Sequence, residues 1–191
     1  MSEQTSPVVI VGAGPVGMTL ALDLAARDID VTIVEQRAAD ARGDAKCNSV
    51  AARTMEVFRR LGVADAVRAA GLADDYPTDV SFRSSLTGPE LLRIPLPSRA
   101  ERFGPDGRSA EGYLDSAWRT PEPVVRVSQY FLDPLLRDVV LKTPRIRLLS
   151  RTSFERYVQD DDGVTVSCRD LSRDRSFDLR ARYLILSLIH I

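Results

Sequence analysis

A short apolar run near the N-terminus is followed directly by three closely spaced glycines. Residues 8–17 read "VVIVGAGPVG". A continuous β-branched run is typical of a strand buried on both faces, as in a parallel sheet. The glycines that follow match the pattern G-x-G-x-x-G, in which a strand turns tightly into a helix. The stretch therefore predicts a strand, a turn and the start of a helix.

The residues that follow supply the context in which this pattern is informative. The segment "MTLALDLAARD" has apolar residues at helical spacing, and "DVTIVEQR" predicts a second strand over Val31–Glu35. In a dinucleotide-binding unit the first glycine allows the turn, the second lets the backbone approach a diphosphate, and the third lets the helix pack on the strand. We assign these roles to Gly12, Gly14 and Gly17. The helix N-terminus, with Pro15 near its first position, then offers N–H groups to the phosphates.

Glu35 ends the second predicted strand, where a carboxylate accepts hydrogen bonds from ribose hydroxyls. Its charge would repel a 2′-phosphate, which argues against NADP in this site. The alternative is a glycine turn used only for packing, and the pattern leaves FAD and NAD both open. The candidate nucleotide-binding residues of this unit are Gly12, Ala13, Gly14, Pro15, Val16, Gly17 and Glu35.

Composition excludes several classes of function. The 191 residues include 26 basic and 27 acidic ones, so the net charge of −1 gives no case for binding nucleic acid or an anionic membrane. A single histidine argues against a Ser-His triad or a histidine metal site, and we predict no metal. Two cysteines, no signal peptide and no apolar run of about 20 residues favour a cytoplasmic protein.

The rest of the chain predicts a mixture of helices and short strands. Two helices are expected over residues 49–71, with Gly62 and Gly71 as C-caps. A third helix is expected over residues 126–142, and its predicted buried face consists of Phe131, Leu132, Leu135, Leu136, Val139 and Val140. Strands are expected near 79–84, 90–95, 146–150, 153–159 and 164–170, with a hairpin turn at residues 160–163 and a further strand pair after residue 175. Residues 97–123 predict a long loop in which Trp118 is either a packing anchor or a pocket residue.

Three stretches together resemble one family, the class A FAD-dependent aromatic hydroxylases. They are "VVIVGAGPVGMTLALDLAARDIDVTIVEQR", "KCNSVAARTMEVFRRLGVADAVRAAG" and "RVSQYFLDPLL". The resemblance implies a Rossmann-like α/β FAD-binding domain with a β-rich insert. Its expected parts are a βαβ unit and helices over residues 7–75, strands and a loop facing a substrate domain over 79–125, and a helix and β-meander over 126–186.

The resemblance also implies site residues and a reaction. Glu35, Gln36 and Arg37 would lie at the adenosine end of FAD, Lys46 would stand where an arginine is usual, and Arg126 and Gln129 would flank the flavin. Asp133 stands where glutamate is commoner. The implied reaction is hydroxylation of a phenolic ring by O2, with NAD(P)H as the co-substrate.

The C-terminal residues depart from the family pattern. After "ARYLI" the family continues into a Gly-x-Asp-Gly motif, whereas this chain reads "LSLIHI". We therefore expect a fragment that ends before the substrate domain is complete and is inactive alone, with residues 187–191 not native and the catalytic residues further along the gene. A divergent but real terminus is the alternative.

Two other functions remain open at this point. One is a related FAD-dependent oxidase or epoxidase that acts on polyketide rings or alkenes. The other is a nucleotide-binding module without a redox role. The substrate, the choice between NADH and NADPH, and the oligomeric state are not encoded in these motifs.

Overall fold

A computed structural model describes residues 4–41, 46–102 and 120–187. Within the chain, contacts cluster into two compact units: residues 1–45 with 129–191, and residues 46–128. The first unit is built on a six-stranded sheet with the strand order β5-β2-β1-β8-β7-β6. Its strands are β1 (Gln4–Val11), β2 (Val31–Val34), β5 (Ile146–Leu149), β6 (Thr152–Asp160), β7 (Gly163–Asp170) and β8 (Arg175–Leu186).

The centre of this sheet is parallel and deeply buried. β1 lies between β2 and β8 and pairs in parallel with both, and β2 pairs in parallel with β5. All four residues of β2 are buried, and so are Val8–Val11 of β1. A strand with parallel neighbours on both sides must be apolar on both faces, which explains the unbroken β-branched runs.

Two helices of the first unit contact each other: α1 (Pro15–Ala25) and α5 (Gln129–Lys142). α1 also contacts β1 and β2, so the chain runs strand, glycine turn, helix, parallel strand. This is the α/β Rossmann-like arrangement that the sequence predicts. The carboxyl ends of β1 and β2 therefore lie side by side, which is where doubly wound folds hold their ligands.

The last three strands form an antiparallel meander. β6 and β7 are joined at residues 160–163, where the Asp160 carboxylate accepts hydrogen bonds from the backbone N–H groups of Asp162 and Gly163. The triple aspartate is thus a hairpin turn, as the sequence indicates. Val9 and Val34 pack in one core with five meander residues: Val164, Val166, Cys168, Leu179 and Ala181. Burial raises the pKa of the Cys168 thiol to about 12, so this cysteine serves packing.

β8 is one long strand, and the predicted strand pair after residue 175 is wrong. Its first half pairs antiparallel with β7, and from Leu179 onward it also pairs in parallel with β1. A single strand that serves both pairings joins the meander to the central sheet without an intervening turn.

The second unit contains α2 (Ala52–Arg60), α3 (Ala64–Ala70), the two-stranded sheet β3 (Val80–Arg83) and β4 (Glu90–Ile94), and the short helix α4 (Arg99–Arg102). Gly62 has a φ of 74° between α2 and α3, the left-handed conformation expected of a C-cap glycine. Gly71 is the C-cap of α3 but is extended, with a φ of −84° and a ψ of −177°. The predicted loop over 97–123 thus contains α4, and Trp118 lies outside the described residues.

The helix predicted over 126–142 begins three residues later than expected. Val125 forms an isolated bridge with Val50, and backbone hydrogen bonds of 2.8 and 3.0 Å between these two residues hold the chain extended. α5 starts only at Gln129. The buried face also differs: Phe131, predicted to be buried, is 63% exposed, whereas Asp133 and Arg137 are buried.

Candidate functional site

The turn between β1 and α1 has the geometry of a phosphate-binding loop. Gly12 has a φ of 106°, which favours glycine, and its N–H donates to the Val34 carbonyl at 2.8 Å. α1 then starts with Pro15 at its N-terminus. The first N–H groups of an α-helix have no partner within the helix and carry the positive end of its dipole. The turn can therefore hold an anionic group.

Gly17 is required by packing within the protein. A Cβ at this position would lie 2.1 Å from the Gly12 carbonyl oxygen and 3.4 Å from the Ile10 side chain. The absence of a side chain lets α1 lie against the end of β1, which is the role predicted for the third glycine.

Gly14 has no such requirement within the protein. Its backbone is extended, with a φ of −77°, and a Cβ built there would meet no heavy atom within 4 Å. Neither backbone conformation nor packing explains this glycine. A group that approaches the backbone from outside the chain would explain it, which is the role that the sequence predicts for the second glycine.

Glu35 follows β2 directly and lies beside this turn. Its side chain is 9% exposed, and one carboxylate oxygen accepts the Ala13 N–H at 2.8 Å. The other oxygen accepts the Arg37 backbone N–H at 2.9 Å. Burial acts to raise the pKa of the Glu35 carboxyl, but hydrogen bonds from Arg37 and Ala13 outweigh it and lower the pKa below its ordinary value. The carboxylate is therefore charged at neutral pH and fixed against the glycine turn.

This lowered pKa predicts a pH dependence of stability. The ionised Glu35 stabilises the folded chain above its ordinary pKa of 4.5, and that contribution is lost as the pH falls through the lower value of the folded state. We expect the urea midpoints of the chain and of Glu35→Gln to differ most near neutral pH and to converge in acid. Glu155→Gln, at an exposed position of β6, is the matched control. A difference that stays constant from pH 7 to pH 3 would contradict the assignment.

Arg37 is paired with Glu35. Its Nε donates to one carboxylate oxygen at 3.0 Å and its Nη2 to the other at 3.3 Å. The Arg37 side chain is about one-third exposed. Gln36, between the two, is exposed. The structure thus brings Ala13, Glu35 and Arg37 together at the ends of β1 and β2.

α5 contributes three polar side chains on one face, at a spacing of four residues. Gln129 donates from Nε2 to Asp133 Oδ2 at 3.2 Å, and Asp133 is 1% exposed. Arg137 donates to the carbonyl oxygens of Ala39 and Ala41, the latter at 3.1 Å. Burial raises the pKa of the Asp133 carboxyl, against the opposing effect of the Gln129 hydrogen bond and the nearby charges of Arg37 and Arg137.

Lys46 and Arg126 lie in the second unit. Lys46 is exposed, and Arg126 is partly buried and donates from Nη2 to the Thr78 carbonyl at 3.3 Å. Their contribution to nucleotide binding stays a prediction.

A groove in the described part of the chain lies away from this turn. Its volume is about 1210 Å³, and β5 and the meander line it with mainly polar side chains, including Arg147, Glu155 and Arg175. None of the predicted nucleotide-binding residues lines it. Among the described residues, no group of three histidine, cysteine or acidic side chains is placed to hold a metal ion. No described helix is both long enough and apolar enough to cross a membrane.

Comparison with known proteins identifies the family. A family model described as "FAD binding domain" matches residues 5–186. The chain belongs to this FAD-binding family. FAD is therefore the cofactor of the domain, and the choice between FAD and NAD that the glycine turn leaves open is decided. The resemblance to class A FAD-dependent aromatic hydroxylases and the predicted α/β fold are confirmed.

Individual relatives of this FAD-binding domain are monooxygenases and hydroxylases. The 2,4-dichlorophenol 6-monooxygenase of Delftia acidovorans is 28% identical over 179 residues, which cover 93% of this chain and 28% of the relative. Aklavinone 12-hydroxylase DnrF of Streptomyces peucetius is 33% identical over 184 residues, 93% of this chain and 34% of the relative. The chain thus spans between a quarter and about a third of the curated relatives that it matches.

A solved structure shows the same fold with flavin present. The rebeccamycin biosynthetic enzyme RebC, in a structure with reduced flavin, is 34% identical to this chain with a TM-score of 0.77. The match covers 97% of this chain and 33% of RebC.

Proposed function

We propose that this chain is the nucleotide-binding part of an FAD-dependent monooxygenase that hydroxylates a phenolic or other aromatic substrate with NAD(P)H and O2. The observation that carries the proposal is the open space beside Gly14, next to a buried, charged Glu35, in a chain of the FAD-binding family. The relatives named as a dichlorophenol monooxygenase and an aklavinone hydroxylase support the reaction class.

Within this proposal the glycine turn binds the diphosphate. The backbone of residues Gly12–Gly17 and the start of α1 offer N–H groups and a positive dipole end to two negatively charged phosphates. Gly12 shapes the turn, Gly14 admits the ligand and Gly17 sets the helix against β1. Ala13, Pro15 and Val16 complete the loop.

Glu35 orients the adenosine ribose by accepting hydrogen bonds from its hydroxyls. Its fixed position, with Ala13 donating to one oxygen, means that the acceptor needs no rearrangement of the backbone. Gln36 and Arg37 lie at the same end. Gln129, Lys46 and Arg126 are assigned to the flavin side and the diphosphate or ribityl chain by the family resemblance. The cofactor supplies the redox and oxygen chemistry, while the protein orients it and excludes water.

The Glu35 assignment predicts a loss of nucleotide affinity on neutralisation. Glu35→Gln keeps the shape of the side chain and removes the charge that strengthens the ribose hydrogen bonds. A hydrogen bond to a charged group contributes about 1.5–3 kcal/mol, so FAD should bind one to two decades more weakly. Fluorescence titration of FAD measures the change, with Glu155→Gln as the control. Unchanged affinity would place Glu35 outside the ribose site.

The reaction is tested by oxygen uptake. A protein that contains this chain and its substrate domain should oxidise NAD(P)H faster when a suitable phenol is present, and label from ¹⁸O2 should appear in the hydroxylated product. If a broad panel of phenols and polycyclic aromatics gives NAD(P)H oxidation with no labelled product, the chemistry is that of an oxidase. If no NAD(P)H is oxidised at all, the chain is a nucleotide-binding module.

A further inference from the structure

Every acceptor position of the Glu35 carboxylate is occupied by a donor from the protein. A carboxylate offers about four lone-pair positions, two on each oxygen. The Ala13 N–H and Arg37 Nη2 occupy one oxygen, and the Arg37 backbone N–H and Nε occupy the other. Ribose hydroxyls can therefore donate to Glu35 only after one of these donors leaves.

Of these donors, the side chain of Arg37 is the one that can leave. The N–H of Ala13 belongs to the backbone of the glycine turn. The N–H of Arg37 belongs to the backbone three residues after β2, where the Arg37 carbonyl accepts the Arg151 N–H at 3.0 Å. The guanidinium is at the end of a flexible side chain that is 32% exposed, and its Nη2 bond of 3.3 Å is the longest of the four. Displacing it frees one position on each carboxylate oxygen, which matches the two hydroxyls of a ribose.

The same unit contains an acceptor without a donor. Asp133 is 1% exposed, and its Oδ2 accepts from Gln129, but its Oδ1 is buried and has no hydrogen-bond partner. A buried carboxylate oxygen without a donor is costly. Arg37 and Arg137 both act on this carboxyl through their charges. Arg137 is held by hydrogen bonds to the carbonyls of Ala39 and Ala41, so Arg37 is the arginine that can move to Asp133.

We propose that Asp133 is a positioning residue of the nucleotide site: it takes the Arg37 guanidinium when ribose hydroxyls replace that guanidinium on Glu35. The inference rests on the proposed FAD site and adds a second carboxylate to it. Without the nucleotide, Glu35 accepts four hydrogen bonds and Asp133 Oδ1 accepts none. With the nucleotide bound, ribose hydroxyls replace the guanidinium on Glu35, and Asp133 Oδ1 accepts from Arg37. Asp133 strengthens binding without touching the nucleotide.

A double-mutant cycle on the 191-residue chain tests this exchange, with ADP as the probe because Glu35 binds the adenosine end. Asp133→Asn can still accept from Gln129 but offers no charge to Arg37, and we expect its ADP affinity by calorimetry to fall about tenfold. In an Arg37→Gln background no guanidinium has to be relocated, so adding Asp133→Asn should change the affinity less than about twofold. Asp133→Glu should restore most of the affinity. Asp138→Asn, exposed on the same helix, should have no effect.

The unfolding temperature of the nucleotide-free chain separates this role from a structural one. Since Asp133 carries an unsatisfied oxygen in that state, Asp133→Asn should not lower the unfolding temperature. Equal losses of affinity in both Arg37 backgrounds, or a lower unfolding temperature, would overturn the exchange and leave the proposed FAD site intact. An unsubstituted chain that binds neither ADP nor FAD would overturn the proposed site and the exchange together.

Discussion

Gly17→Ala should unfold or severely destabilise the first unit. The new Cβ would lie 2.1 Å from the Gly12 carbonyl oxygen, and that atom belongs to the backbone of a turn that cannot give way as a side chain does. α1 must therefore move away from β1, and its contacts with the central sheet are weakened. Overpacking typically costs about 1–3 kcal/mol and occasionally more, and we expect at least the upper end, about 3 kcal/mol. Urea unfolding followed by circular dichroism measures the loss.

Gly14→Ala is the matched control for this experiment. It makes the same chemical change three residues away, at a position with an extended backbone and no heavy atom within 4 Å of the new Cβ. Gly14 is the N-cap of α1, and alanine is a poorer N-cap than glycine. The loss of stability should therefore be no more than about 1 kcal/mol, well below that of Gly17→Ala. Helix propensity and the entropy of the unfolded chain both favour alanine over glycine. Equal destabilisation by both substitutions would therefore show that the contact with Gly12 does not determine the effect of Gly17.

Gly14→Ala should nevertheless abolish tight nucleotide binding. The space beside Gly14 is the space that a diphosphate would occupy, so a methyl group there either blocks the phosphates or forces them away from the N–H groups of α1. We expect the affinity for FAD and for ADP to fall about 100-fold or more, which corresponds to about 2.8 kcal/mol.

Gly17→Ala is thus expected to impair folding and Gly14→Ala to impair nucleotide binding, although both glycines belong to one motif. Circular dichroism of Gly14→Ala should match that of the unsubstituted chain while calorimetry shows the loss of ADP binding. A folded Gly14→Ala chain that binds ADP with undiminished affinity would mean that the diphosphate does not approach this turn.

The central strands and the glycine turn could be predicted because their causes are local. A β-branched run buried on both faces, glycines at fixed spacing and an acid at the end of the next strand each follow from neighbouring residues. The hairpin at residues 160–163 is local in the same way, since Asp160 accepts from the N–H groups of the residues beside it. The structure of β1, α1 and β2 agrees with the prediction to within a few residues.

The features that sequence reasoning missed depend on distant partners. α5 starts at Gln129 and not at Arg126 because Val125 pairs with Val50, 75 residues earlier. β8 is continuous because β1, at the opposite end of the chain, pairs with its second half. The residues around Val125 and those of β8 do not indicate by themselves that Val50 or β1 pairs with them.

The polar face of α5 left a weaker but usable signal. Gln129, Asp133 and Arg137 recur every four residues, which places them on one side of a helix. Apolar residues adjoin each of them, so the sequence predicts an apolar face that wrongly includes Phe131. A spacing of four between polar residues beside buried leucines indicates a helix face with buried polar side chains. Here Gln129 is hydrogen-bonded to Asp133, and Arg137 is hydrogen-bonded to the carbonyls of Ala39 and Ala41.

The nucleotide that the purified protein retains decides whether the glycine turn holds FAD. The full-length protein that contains residues 4–187 should be purified without added cofactor, and its absorbance recorded before and after denaturation. We predict the absorbance bands of oxidised flavin, release of FAD on denaturation, and their loss in Gly14→Ala with the fold preserved. A folded protein that binds NAD tightly, and takes up no FAD even when FAD is supplied in excess, would contradict the account.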